Sequence, residues 1–176
     1  MRQTMYHVEP LLLEEDARLI SKFFLSDVSF DDMNHTPGEI QHYETNPFKA
    51  LVSDYSYRFV KNERNEMIGV IGYLQNEQQT GGYYLDYLVV HKAFRRHGIA
   101  ALLLNDMIGV LEFQEARYVL TYTCDTELYA PVRRLFERTG FSLAGRCPDY
   151  YFEGEDRLIY SLKLGRHRVH SNKHGA

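Results

Sequence analysis

Tryptophan is missing from this 176-residue chain, cysteine occurs twice and proline five times. The two thiols, Cys124 and Cys147, are too few for a disulfide framework and stand in no close-spaced ligand pattern, so a reducing compartment and no metal site are expected. No stretch approaches the ~18 apolar residues that a membrane span requires. No basic region followed by an apolar run and a cleavage site marks the N-terminus. Charge of one sign is not in excess either: the formal net charge is -4, with acids and bases mixed along the chain. That balance argues against a nucleic acid or an anionic membrane as partner, and a cytoplasmic protein is the expectation. A Gly-x-Gly-x-x-Gly run after a strand is also lacking, which argues against a dinucleotide fold.

What the chain does have is tyrosine, 14 of them, beside 10 phenylalanines. Tyrosine both packs and hydrogen-bonds, so the excess can line a pocket as well as fill a core. The length suits one domain, expected over residues 1–165, with no repeat and no linker. Residues 166–176, with His167, His170 and His174, read as a flexible basic tail.

Residues 6–11 read as a short strand, and the acidic Glu14, Glu15 and Asp16 open a helix whose apolar positions run from Ala17 to Leu25. Residues 26–49 show no period and read as a long acidic connection, with at most a short helix over 39–43 and an end at Pro47. Residues 55–61, 67–74 and 83–90 follow as strands separated by turns, an antiparallel meander. A helix over about 98–115 and a strand over 117–124 come next. A helical crossover lets that strand lie parallel to residues 83–90. Pro131 suits the first turn of another helix, Gly140 its C-terminal cap, and strands beginning at Phe141 and Leu158 flank a polar hairpin.

The organising stretch is residues 83–100. A strand rich in β-branched and aromatic residues runs into a basic turn, Arg95-Arg96-His97-Gly98, which opens the helix at Ile99 and Ala100. Gly98 permits a close backbone approach, and a helix start carries unpaired N–H groups and positive potential. Such a turn suits phosphate groups.

Arg95-x-x-Gly98-x-Ala100, preceded by Val90 and Phe94, resembles the acetyl-CoA signature of the GCN5-related N-acetyltransferase (GNAT) superfamily, and the order of elements along nearly the whole chain is similar to that fold. The resemblance implies an α/β fold: a mixed, mostly antiparallel sheet in which two neighbouring parallel strands splay apart, flanked by helices. It implies acetyl-CoA in the wedge, its diphosphate on backbone N–H groups of Arg95, Arg96, His97, Gly98, Ile99 and Ala100. Backbone at Leu88, Val89 and Val90 would pair with the pantetheine arm. Lys92 and Phe94 replace the family's more common proline and tyrosine nearby, and Ala100 its more frequent glycine.

The implied chemistry is acyl transfer from a thioester to an amine. Asp86, in a strand otherwise apolar and aromatic, is the candidate to take the amine's proton, and its Leu85-Asp86-Tyr87 setting resembles a carboxylate site in polyamine acetyltransferases of the superfamily. Phe136 stands where many relatives carry a tyrosine acid, so Tyr129 becomes the candidate proton donor to sulfur, with Tyr122 and Cys124 behind it. Asp27, Asp31, Asp32 and Glu39 would attract a cationic amine, with Tyr83, Tyr84 and Tyr87 as cation–π faces. A small cationic amine is the expected acceptor. A peptide or protein amine, and an acyl-CoA sensor without catalysis, stay open, as does a homodimer.

Overall fold

The computed structural model describes residues 5–165, and the expected tail lies outside them. Seven strands form one sheet in the order β1-β2-β3-β4-β5-β7-β6. They are β1 (Glu9–Pro10), β2 (Ser56–Lys61), β3 (Met67–Gln75), β4 (Gly82–Val90), β5 (Tyr118–Cys124), β6 (Ser142–Phe152) and β7 (Glu155–Lys163). Every neighbouring pair is antiparallel except β4 and β5. Helices α1 (Glu14–Phe24) and α2 (Pro37–Lys49) cover one face, where Ile20, Phe24 and Tyr43 pack on Tyr57, Phe59, Val70 and Val89. Helices α3 (Ile99–Phe113) and α4 (Ala130–Thr139) cover the other, with Leu103, Leu104, Met107 and Phe136 against Ile71, Leu85, Val119 and Tyr160.

The parallel pair is short. Its register runs from Gly82 opposite Tyr118 to Leu85 opposite Thr121 and stops there. Past that point β4 stays on β3 as far as Val90, while β5 stays on β7 as far as Cys124. The two strands therefore diverge into a wedge. The Thr121 hydroxyl pins its apex by donating to the Leu85 carbonyl at 3.1 Å.

A bulge coincides with the divergence. Gly72 of β3 faces Tyr87 and Tyr73 faces Leu85, which leaves Asp86 opposite no residue. A bulge adds one residue, bends its strand and increases the twist. It also shifts the alternation: Leu85, Leu88 and Val90 all pack toward α3, whereas Tyr87 and Val89 pack toward α1 and α2. Strict alternation would put Leu85 and Leu88 on opposite faces.

Three expectations require correction. The second half of residues 26–49 is not an irregular connection but the 13-residue helix α2. Its start is a capping box: Thr36 Oγ1 accepts from the Glu39 N–H at 3.2 Å, and Glu39 accepts from the Thr36 N–H at 2.8 Å, with Pro37 at the helix start. Pro47 lies inside this helix instead of ending it. The polar hairpin expected over residues 149–156 is present but narrows to a turn at Glu153 and Gly154, because β6 runs on to Phe152 and β7 begins at Glu155, and the first strand is only two residues long.

Candidate active site

The turn before α3 is built to leave donors free. Arg96 and Gly98 both have left-handed backbone, φ 65° and 79°. A side chain at Gly98 would meet no neighbour within 4 Å, so the requirement for glycine is conformational. No side chain caps α3, no acid stands in its first turn, and the first backbone bond of the helix is Leu102 N–H to the Gly98 carbonyl. The N–H groups from Arg96 to Ala101 thus have no protein acceptor among the described residues. A row of unpaired donors at a helix N-terminus fits a diphosphate.

Arg95 serves another purpose. Its guanidinium grips Asp31 through two bonds of 2.7 and 2.9 Å and donates to the Ser29 carbonyl at 3.0 Å. Lys92 adds bonds from its ammonium to the Asp27 carbonyl and from its N–H to the Val28 carbonyl. Together they stitch the segment after α1 onto the segment after β4. Arg96 and His97 remain exposed. Leu88 and Val90 are half-buried and Val89 is buried, so what these three present to the wedge is the β4 edge, which has no strand partner beyond Leu85.

Asp86 projects from the bulge on the α1–α2 side with its side chain 39% exposed. Tyr55 donates its hydroxyl to Asp86 Oδ2 at 2.8 Å, and His42 Nε2 lies 3.9 Å from the same oxygen. His42 Nε2 is also 3.3 Å from the Tyr57 hydroxyl, which accepts from Asn46 at 2.9 Å. With Asn46 donating, the Tyr57 hydroxyl is free to donate to an unprotonated Nε2. Gly72 makes the arrangement possible. A Cβ there would lie 2.7 Å from the Tyr55 hydroxyl and 2.8 Å from Tyr57, so its absence lets both rings cross β3.

Burial lowers the pKa of His42 below its ordinary value of 6.5; the Asp86 charge opposes this and Lys49 adds to it. Burial pushes the Tyr55 and Tyr57 hydroxyls well up, and Tyr87, also beside Asp86, up to about 12. The phenols thus stay protonated at neutral pH. An unfolded histidine binds a proton below 6.5 while native His42 resists it, so the native state loses stability as pH falls from 6.5 through the lowered value. His42→Gln is expected to flatten that loss. Denaturant melts at pH 7.5 and 5.5 check it, and an unchanged difference between wild type and variant would refute it.

Tyr129 stands on the other flank, at the start of α4, 39% exposed. Burial raises its pKa first; the negative forms of Cys124, Asp32, Glu155 and Glu39 add to the rise. Arg133 holds the end of β5 in place by donating to the Cys124 and Thr126 carbonyls at 2.9 and 2.7 Å. No bond joins Tyr129 to Asp86; each flank of the wedge carries one of the two. Phe136 is buried against Phe141 and Tyr160, in the α3–α4 core.

The expected acidic collar is mostly occupied elsewhere. Asp31 pairs with Arg95, Glu39 closes the capping box, and Asp32 accepts from the Asn34 N–H at 2.8 Å. Of the proposed cation–π faces, Tyr87 lies beside His42, while Tyr84 stacks on Tyr122 and Tyr83 packs toward α3. Sequence reading missed His42 and Tyr55. The capping box at Thr36 was the available sign of the helix that carries His42.

A family model described as the acetyltransferase (GNAT) family matches residues 22–141. The chain belongs to that family and is an acetyl-CoA-dependent acetyltransferase. Its wedge, bulge and free helix start provide residues suited to the cofactor. Solved structures agree on the fold. A GNAT-family protein from Desulfovibrio desulfuricans is 24% identical with a TM-score of 0.80, over 92% of this chain and 100% of that one. The Escherichia coli ribosomal-protein-S18-alanine N-acetyltransferase is 16% identical with a TM-score of 0.73, over 94% and 98%. An aminoglycoside 6'-N-acetyltransferase complexed with coenzyme A is 13% identical with a TM-score of 0.72, over 94% and 99%. Comparison with curated protein sequences finds no match.

Proposed function

We propose that the chain acetylates a small primary amine that enters the wedge on the α1–α2 side, with Asp86 taking the amine's proton. The observation that carries this reading is the carboxylate at the bulge, half-open to the wedge and oriented by Tyr55. Bound acetyl-CoA supplies an acetyl thioester open to attack by a neutral amine. An amine at neutral pH is mostly ammonium, so a base must remove its proton before or as the C–N bond forms. Asp86 receives that proton, and the protonated Tyr55 fixes where the carboxylate points. The acyl C–S bond breaks as nitrogen takes over the acetyl group. Tyr129, kept protonated, gives a proton to the departing sulfur. Backbone of Arg96 to Ala101 holds the diphosphate, which positions the thioester at the wedge.

Thiol release from acetyl-CoA, measured against a panel of primary amines and N-terminal peptides, tests the reading. Turnover is expected with small amines; turnover with peptides alone would overturn the choice of acceptor, and none with any would overturn the reading. Tyr129→Phe is expected to lower kcat by about tenfold and to leave acetyl-CoA affinity unchanged. The loss is modest because a thiol of pKa ~8.5 leaves tolerably as thiolate. An unchanged kcat would remove Tyr129 from the mechanism.

A further inference from the structure

One cation on the α1–α2 face has its charge stacked and its Nε–H without an acceptor among the described residues. The Arg157 guanidinium carbon lies 3.7 Å from the Tyr122 ring centre and 4.4 Å from that of Tyr150. Its Nε is buried. Neighbouring arginines are satisfied: Arg133 on two carbonyls, Arg146 on Asp125 and Asp156. Ring faces favour the positive charge from above and below but accept nothing from the N–H groups at the guanidinium edge. A planar fork clamped between two rings is fixed in direction, and it matches the geometry of a carboxylate.

The position ties Arg157 to the wedge. Its neighbour Leu158 packs in the α3–α4 core, so alternation puts Arg157 on the α1–α2 face, the face of Asp86. Tyr122 extends the same surface to Tyr84, whose ring it stacks on at 6.2 Å, and Tyr84 precedes Leu85 and Asp86 on β4. Arg157 pairs across β5 with Cys124, at the open end of the wedge. It is two strands from β4, a separation of roughly 10 Å where the strands pair and more where β4 and β5 diverge. An acceptor that reached both groups would need an aliphatic spacer between its amine and its anion.

We propose that Arg157, clamped by Tyr122 and Tyr150, is an anion subsite of the acceptor groove, and that the acceptor is an amino-carboxylate with its amine at Asp86 and its carboxylate on Arg157. This rests on the reading of Asp86 as the amine site and narrows the substrate class from amines in general.

Two matched pairs of probes isolate the carboxylate: lysine with cadaverine, and ornithine with putrescine. The acid-bearing member of each pair is expected to have at least a tenfold higher kcat/KM. Arg157→Gln is expected to erase that preference, chiefly through KM of the acid-bearing member. A second readout needs no turnover. The buried Arg157 Nε–H resonance, assigned by its loss in Arg157→Lys, is expected to shift when lysine is added to the CoA-loaded protein and to stay put with cadaverine. Equal rates within each pair, or an equal loss on both members in Arg157→Gln, would overturn the subsite while leaving the acetyltransferase reading intact. A lysine-specific shift without lysine turnover would uphold the subsite and displace the amine from Asp86. No shift with either carboxylate probe would overturn the proposal outright.

Discussion

Asp86→Asn is expected to lower kcat by about 10²-fold with the true acceptor, in the range that a positioned general base contributes. The amide keeps the size of the carboxylate and still offers an oxygen to the Tyr55 hydroxyl, so the bulge and its neighbours should persist. What disappears is the ability to take a proton. The variant must then wait for acceptor that arrives already neutral. Below the amine's own pKa that fraction rises tenfold per pH unit, so the pH–rate profile of the variant should steepen toward a slope of one, while wild type stays flatter. Acetyl-CoA affinity should not change, because the donors for the diphosphate lie at the α3 start. Steady-state rates from pH 6 to 10 and calorimetric titration with acetyl-CoA decide it. A variant whose profile superimposes on wild type would remove Asp86 from proton transfer, whatever the size of the rate loss. Tyr55→Phe is the companion: it keeps the charge and removes the orienting bond, so a smaller loss with an unchanged profile is expected.

The turn at Arg95 to Ala100 and the helix behind it are legible from sequence because their chemistry is local. Gly98, the basic run and the apolar helix follow one another, and the crossover geometry then places β5 beside β4. The bulge is legible only in outline: Gly69 and Gly72 inside the β3 sequence suggest a bulge or a close backbone approach, but not which residue of β4 it leaves unpaired. It depends on which residue of β3 faces which of β4, and Gly72 shows its purpose only once Tyr55 and Tyr57 are seen crossing it. The acids of the α1–α2 segment were visible but their partners were not. Asp31 meets Arg95 across 64 positions of chain, and that closure turns an apparent amine-binding charge into a fastener for the loop. His42 escaped for a related reason. Helix α2 buries only Tyr43 and Pro47, so it lacks the apolar stripe that announces a helix. Arg157 escaped because a charged residue in an alternating strand ordinarily points to solvent, and only the two flanking tyrosine rings distinguish this one.

Ala100→Glu should separate what helps the helix from what helps the cofactor. Ala100 stands in the first turn of α3, where the N–H groups are unpaired and no acid is present. A carboxylate there complements the helix dipole, a contribution of about 0.3–1 kcal/mol toward stability. The same charge occupies donors that a diphosphate needs and repels the diphosphate itself. Acetyl-CoA affinity should therefore fall at least tenfold, about 1.4 kcal/mol, while the folded protein becomes no less stable. Lost affinity with preserved or raised stability is hard to obtain from simple damage, which lowers both. The loss should also shrink as salt rises, since screening weakens repulsion between exposed charges. Titration with acetyl-CoA at low and high salt, beside denaturant unfolding, measures all of it. If affinity survived the substitution, the diphosphate would have to rest elsewhere, and the unpaired donors from Arg96 to Ala101 would need another explanation.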